Sequence, residues 1–385
     1  MKRRAFIQLA GGGVVAAAVP GLSGCSTAIP PEAVAAWQGP PPGAEVREWI
    51  LAHAILAPHS HNLQSWLVDL RTPEQIMLYC DPQRLLPQTD PQSRQIMMSH
   101  GTFLELLDMA AREKGLRADI ELFPEGAFAA DRIDRRPVAR VRLVADANVK
   151  RDPLFAQVFR RRTNREPYAD QSLPLEATAG IAQAVKDYPV RVGFVGKDQP
   201  EPLARHRAIA AEAWRIELTT PRTLLESYKV LRVGPDEIAT HRDGISLMAP
   251  LPRLLAALGL FDRSKAPAAD DAAITGQIRD FNAKLQATPG FFWMVTEGND
   301  RKTQVRAGQA YVRAQLAATA LGLSMQPVSQ ALQEFPEVAG PYADIHRLLD
   351  APQPKFTVQM WARLGYAPTI GPAPRRGLKA HILSA

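Results

Sequence analysis

Hydrophobic and polar positions alternate along this chain in two rhythms. Val46, Trp49, Ile50, His53, Ala54 and Ala57 recur at helical spacing, and Pro58 stops the run. Residues 66–70 and 75–80 read as strands joined around Arg71-Thr72-Pro73. A long helix is predicted over 93–114, closed by Gly115, followed by strands at 120–123 and 138–144. Residues 153–161 form a short helix, and helices at 176–186 and 202–217 flank a strand at 190–195. Residues 219–275 are Pro-rich and mixed, with no clean period, and suit an insertion or lid. A strand at 291–295, a long helix at 302–321 and a strand at 356–362 complete the series. Mixed helices and short strands place the fold in the α+β class.

The pattern repeats at an offset of 207 residues. Thr89 and Arg94 lie over Thr296 and Arg301, Gly101 over Gly308, Ala110-Ala111 over Ala317-Ala318, and Gly115-Leu116 over Gly322-Leu323. Strand, acidic turn, Arg, small-residue helix and Gly-Leu exit match in order without a gap. Chance recurrence in two amphipathic helices explains this less well than a duplication. Two halves follow, at 45–150 and 151–385, related as the partners of a twofold dimer would be.

The N-terminus departs from both rhythms. Lys2, Arg3 and Arg4 precede an apolar, Gly/Ala-rich stretch that ends at Leu22-Ser23-Gly24-Cys25. This is the order of an export signal. Arg3-Arg4 before Ala5-Phe6-Ile7 resembles a twin-arginine signal, and Leu-Ser-Gly-Cys resembles a bacterial lipobox whose Cys25 is acylated. Residues 1–24 are therefore expected to be removed, and residues 25–44, rich in Pro, to tether a folded body to a membrane through lipid alone. Twin-arginine substrates are exported folded, commonly because a cofactor has been inserted first. That sets the expected location: the periplasm, on a lipid anchor.

Composition narrows the function. The chain has 385 residues, 46 Lys+Arg against 39 Asp+Glu, and a formal charge of +7. Loss of the leader's three cations leaves +4, too mild to invoke nucleic acid. Pro, at 33 residues, is nearly twice its usual share, which predicts many irregular connections. No apolar run beyond the N-terminus is long enough to span a bilayer. Once Cys25 is acylated, Cys80 has no disulfide partner, and its apolar strand makes it a core thiol. The sequence contains no Gly-x-Ser-x-Gly elbow, P-loop or strand-led GxGxxG.

Four polar constellations remain. Ala57-Pro58-His59-Ser60-His61-Asn62-Leu63-Gln64-Ser65-Trp66 packs hydroxyl, amide and imidazole groups between a helix end and a strand start. His59 and His61 have no third ligand nearby and no HExxH exists, so a metal site is not expected. Arg160-Arg161-Arg162-Thr163-Asn164-Arg165 supplies forked donors suited to phosphate. Gly322-Leu323-Ser324-Met325-Gln326-Pro327 follows the second repeat helix, and Arg375-Arg376 lies near the C-terminus.

Together these pieces resemble the nitroreductase superfamily of FMN proteins, and most of all its double-length, Acg-type branch. The 57–66 turn is similar to that family's Ala-Pro-Ser-x-His-Asn-x-Gln-Pro-Trp, with His59 and Ser65 as departures. Arg162-Thr163-Asn164-Arg165 resembles its Arg-Ser-x-Arg segment, Gly322-Leu323 its Gly-Leu-Gly flavin turn, and Arg375-Arg376 its basic C-terminal contact. The resemblance implies one FMN per chain, shared between two fused halves in a monomer. It implies phosphate contacts from Arg162, Thr163, Arg165, Arg375 and Arg376, ring or ribityl contacts from Ser60, His61, Asn62 and Gln64, and amides of Met325 and Gln326 near the ring's N5 and O4. The implied activity is an oxidoreductase passing electrons through flavin N5 to a small oxidant. Reductant is scarce outside the cytoplasm, so two alternatives stand beside it: a lipoprotein that only holds flavin under a lid, and a cofactor-free relic of the fold.

Overall fold

The computed structural model describes residues 28–383. The export signal, the lipobox and Cys25 lie outside the described residues. Pro31–Ala33 and Ala35–Gln38 are 3-10 turns laid on the body. The Pro-rich stretch, expected to be a tether, is therefore docked along this part: Arg375 N–H donates to the Ala33 carbonyl at 2.8 Å, and the Trp37 indole donates to the Ala373 carbonyl at 2.8 Å.

The first half contains α1 (Val46–Ala54), β1 (Trp66–Asp69), β2 (Gln75–Cys80), α2 (Arg94–Glu113), β3 (Leu116–Leu122) and β4 (Ala139–Ala145). Its antiparallel sheet has the order β1-β2-β4-β3. The second half opens with α3 (Leu175–Ala184) and β5 (Arg191–Gly196). It continues through α4 (Pro200–Thr219), α5 (Pro221–Lys229), β6 (Leu231–Val233), α6 (Gly234–His241), β7 (Ile245–Leu247), α7 (Pro250–Ala257) and α8 (Ala272–Gln286). It closes with β8 (Gly290–Glu297), α9 (Arg301–Ala320), β9 (Ser324–Pro327), α10 (Ala339–Leu348) and β10 (Phe356–Gly365). Its antiparallel sheet has the order β5-β8-β10-β9. Substituting β5 for β1, β8 for β2, β9 for β3 and β10 for β4 turns one sheet into the other, with a long helix after the second strand in both. The fold is α+β, with two pseudo-symmetric halves.

The twofold relation is fixed where the two long helices cross. A Cβ on Gly101 would meet the Val305 carbonyl oxygen at 1.9 Å, and one on Gly308 would meet the Met98 oxygen at 1.8 Å. Gly308 and Val305 lie 207 residues after Gly101 and Met98, so each contact is the image of the other. Glycine is required at both places because backbone meets backbone where a side chain would stand. Arg94 and Arg301, also 207 apart, each reach across. Arg94 binds Gln359 and Glu334, and Arg301 binds the carbonyls of Gln92, Ala129 and Ala130. Val305, Val312 and Leu316 of α9 complete the core of the first half, beneath Trp66 and Phe103.

The halves differ between their first two strands. Five residues join β1 to β2, whereas 197–289 join β5 to β8 and carry five helices. The expected insertion at 219–275 is the middle of this longer one. The expected 153–161 helix is a 3-10 turn, Pro153–Gln157, begun by the Asp152 side chain on Leu154 N–H at 2.9 Å.

Candidate functional site

Between the halves lies a cleft of about 440 Å³. The first half contributes the 58–61 turn and one face of α2, with Gln95, Met98, Ser99 and Thr102. The second contributes Thr163, Arg165, Tyr311, Gln326 and Met360. The insertion forms the remaining wall with Trp214, Glu217, Leu218, Tyr228, Phe281 and Lys284.

The turn is held in an unusual shape. His61, Asn62 and Gln64 have φ of 49°, 56° and 55°, in the left-handed region that side chains disfavour. Such strain persists only where the surroundings over-determine it. Here Asn62 Nδ2 donates to the carbonyls of Gly244 and Pro374 at 3.2 and 3.0 Å. Gln64 Nε2 donates to the Arg242 carbonyl at 3.0 Å, and Gln64 Oε1 accepts from Arg376 N–H at 2.9 Å. From α2, Ser99 Oγ accepts from Ser60 N–H at 3.1 Å, and Thr102 Oγ1 donates to the Pro58 carbonyl at 2.7 Å. Asn62 and Gln64 thus pin the turn and do not line the cleft, while Ser60 and His61 do. Burial, aided by the positive Arg165, pushes the His61 imidazole down to about 4, so it is neutral at neutral pH.

The basic segment is extended here, with Thr163 bridging Met325 of β9 in parallel. Extended backbone sends alternate side chains to opposite faces, so Arg161, Thr163 and Arg165 share a side. Arg161 Nη1 donates to Gln315 Oε1 of α9 at 3.2 Å. Arg165 is exposed into the cleft and, among the described residues, makes no ion pair or hydrogen bond. Arg162 turns away: it donates to the Phe159 and Arg161 carbonyls, and its guanidinium lies 4.6 Å from the Trp37 ring. Met325 is buried in the core, while Gln326 reaches the cleft. Arg376 donates to the Gln64 carbonyl at 2.5 Å.

A second feature adjoins the cleft behind Pro58. Arg161 and Arg375 are each 3% exposed, and they donate to the neighbouring carbonyls of Leu56 and Ala57, both at 2.9 Å. With Arg162 they surround the Trp37 ring, at 5.7 Å for Arg161 and 5.6 Å for Arg375. Among the described residues no carboxylate pairs with any of the three, and Nε of each is buried without a partner. Burial and mutual repulsion hold the Arg375 guanidinium well below its ordinary pKa, and burial lowers Arg161 to about 10. Two buried cations, with the half-buried Arg162 beside them and no anion, are costly, because desolvation is not repaid. The orphaned donors fit a dianionic phosphate. Arg161 lay in the basic run but not among the contacts the resemblance implied; alternation along an extended segment, starting from Thr163, is the signal that would have singled it out.

Glu217 is the buried acid of the cleft, 4% exposed. Burial, with Glu226 nearby, pushes its carboxyl up to about 7 against the hydrogen bond from Gln333 Nε2 at 2.9 Å. It lies in the insertion and carries no motif.

Fold and cleft define a class: a two-half α+β chain with one composite site, polar on one wall and apolar on the other, beside a cluster of arginines that no carboxylate among the described residues pairs. No family model matches the chain. It is 29% identical over 349 residues to "Putative NAD(P)H nitroreductase Rv3131" of Mycobacterium tuberculosis strain H37Rv, covering 88% of this chain and 91% of that protein. The counterpart in strain CDC 1551 / Oshkosh matches equally. Among solved structures, an FMN- and NADPH-dependent nitroreductase NfnB from Sphigopyxis sp. strain HMH aligns at 18% identity and a TM-score of 0.38, covering 61% of this chain and 99% of that one. A nitroreductase-type protein from Desulfovibrio desulfuricans, in complex with FMN, aligns at 14% and 0.32, covering 61% and 98%. The names of the full-length relatives support the nitroreductase superfamily as the group this chain resembles.

Proposed function

We propose that this chain is an FMN-binding oxidoreductase of the nitroreductase type, with one flavin in the cleft between its halves. The observation that carries the reading is the cleft's position beside the buried Arg161 and Arg375 and the half-buried Arg162, which have free Nε donors and, among the described residues, no acid. The phosphate end is assigned to Arg161 and Arg375, with Arg162 at the rim. Of the Arg162, Thr163, Arg165, Arg375 and Arg376 set expected from the sequence, this reading keeps Arg375 as a main contact and adds Arg161. Thr163, Ser60 and the Gln326 amide face the cleft where the ribityl chain and ring would lie. Arg165, a cation without an anionic partner on the cleft wall, is placed to stabilise negative charge on the ring. Neutral His61 accepts or donates a hydrogen bond beside it without adding charge. When bound, the flavin supplies hydride and electron transfer. Trp214, Leu218, Tyr228 and Phe281 exclude water from the substrate side.

Both halves are present in one chain, so the reading needs no second subunit. The leader at 1–24 is read as a twin-arginine signal and Cys25 as an acylated anchor, which places the protein in the periplasm on a membrane. The apolar wall of the insertion also suits a protein that only holds flavin, the second reading. The test is direct. The purified chain should carry a flavin spectrum or acquire one from FMN; a reduced nicotinamide dinucleotide should bleach it as fully as dithionite does, and its steady consumption with a nitroaromatic acceptor should show turnover. A bound flavin that no electron donor reduces under steady state supports the holding role. A chain that takes up no FMN defeats both.

A further inference from the structure

The insertion carries an apolar surface that the cleft does not use. Helix α7 buries none of its residues, and Leu251, Leu254 and Leu258 lie along one face at spacings of three and four. With Leu260 beyond the Gly259 turn they are 45%, 52%, 57% and 54% exposed. Four of the nine exposed large hydrophobic residues described thus fall within ten positions, which scattered surface leucines would not produce. The same edge receives the start of the described chain. Helix α6 packs on Pro31–Ala33, and α7 packs on β6. Gly234, the first residue of α6, has the Arg253 side chain of α7 as its nearest neighbour. Only five residues separate Cys25 from Pro31.

We infer that the α7 leucine face is a membrane-docking surface, set beside the lipid anchor so that the insertion rests on the bilayer. The inference rests on the anchoring part of the reading above. Among the described residues no helix is long and apolar enough to cross a membrane, so the face lies on the surface and does not span. The side chain of the flanking Lys265 is 84% exposed and pairs loosely with Asp262 at 3.8 Å, so the face offers leucines rather than net positive charge to the bilayer. An acyl anchor holds the protein near lipid, and the leucines then fix its orientation.

The test uses the full chain carrying Leu254→Cys or, as a control on another helix, Leu175→Cys, each labelled with an environment-sensitive dye. The Cys80 thiol is buried and held protonated, so it does not compete for the label. With vesicles of phosphatidylglycerol and phosphatidylethanolamine, emission at position 254 should shift to the blue while 175 stays unchanged. In the chain with Leu254→Cys and Leu258→Asp the shift should fall at least fivefold. An unchanged emission at 254 would overturn the proposal. So would a shift without vesicles that grows with protein concentration, which would mean that a second copy covers the face. Labelling of Cys25 in the unsubstituted chain reports failure of acylation separately, and the face is judged at 254 in either case.

Discussion

The two halves share a sheet order and a crossing helix, yet two sets of arginines where they meet differ in their pairing. On the helix crossing, Arg313 of α9 meets Glu105 of α2 at 2.9 Å and Asp152 at 2.7 Å, and Gln309 adds a bond to Glu105 at 3.3 Å. This network of satisfied charge belongs to the scaffold. Around Trp37, three arginines from the segments 161–162 and 375 have carbonyl partners only. The difference teaches which charges serve the fold and which await a ligand. A buried cation with its acid is at rest, and one without lowers stability until an anion arrives.

That comparison can be broken at four places, from the largest effect to the smallest. Gly101→Ala and Gly308→Ala each drive a Cβ into a facing backbone oxygen, so the helices must separate. Each should cost on the order of 3–5 kcal/mol, by an equal amount, in thermal or urea denaturation. Unequal losses would deny the twofold relation. Arg313→Met leaves the Glu105 carboxylate buried without a cation and should cost about 3–5 kcal/mol in the same measurement.

Arg161→Met and Arg375→Met, by contrast, each remove a buried cation that has no acid, so apo stability should hold or rise in the same measurement. They should weaken FMN by about 2–4 kcal/mol, or roughly 30- to 1000-fold, in a flavin-fluorescence titration. Arg160→Ala, at an exposed position, should change affinity little. A loss at Arg162 larger than at Arg161 would return the phosphate to the face expected from sequence alone.

The smallest effect belongs to Glu217. Its carboxyl titrates near 7 in the folded chain and near 4.3 when unfolded. Between these values the folded state holds a proton that the unfolded state has lost, so stability falls as pH rises through this window. Below about 4 the contribution of the neutral acid is complete, and above 7 it is gone. Glu217→Gln should therefore gain melting temperature relative to wild type as pH goes from 5 to 8, by a few degrees. A constant difference across that range would mean that the acid ionises normally.

Much of the frame was legible in the sequence. Residues 75–80 form a strand as their alternation requires, with Ile76, Leu78 and Cys80 buried and their neighbours partly exposed. The 207-residue repeat led to the crossing helices because Gly101 and Gly308 are fixed by backbone contact, and such a position leaves the same residue in both copies. The insertion was legible as an irregular stretch at 219–275, but its internal helices were not. Helices α5, α6 and α7 are eight or nine residues long, begin at or beside proline, and bury few side chains, so their periods are too short to read. Glu217 was missed for a related reason: a single acid in an ordinary amphipathic helix has no signature until Trp214, Leu218 and Phe281 enclose the same space.

The arginine run shows where local reading ended. Its density pointed to phosphate, but which guanidinium turns inward depends on the extended pairing of Thr163 with Met325, 162 residues away in the chain. It depends also on Trp37, which arrives from the N-terminal arm to fill the space between them. Asn62 and Gln64 were read as ligand contacts from the motif; in the fold their amide nitrogens donate to the carbonyls of Gly244, Pro374 and Arg242, while the buried Asn62 Oδ1 keeps no partner among the described residues. The sequence by itself determined the periodic elements, the duplication and the two basic segments, because each is written in residues a few positions apart or at one fixed offset. Tertiary structure alone decided which polar groups are satisfied and which remain open to a ligand, because hydrogen-bond and charge partners come from segments more than a hundred residues distant.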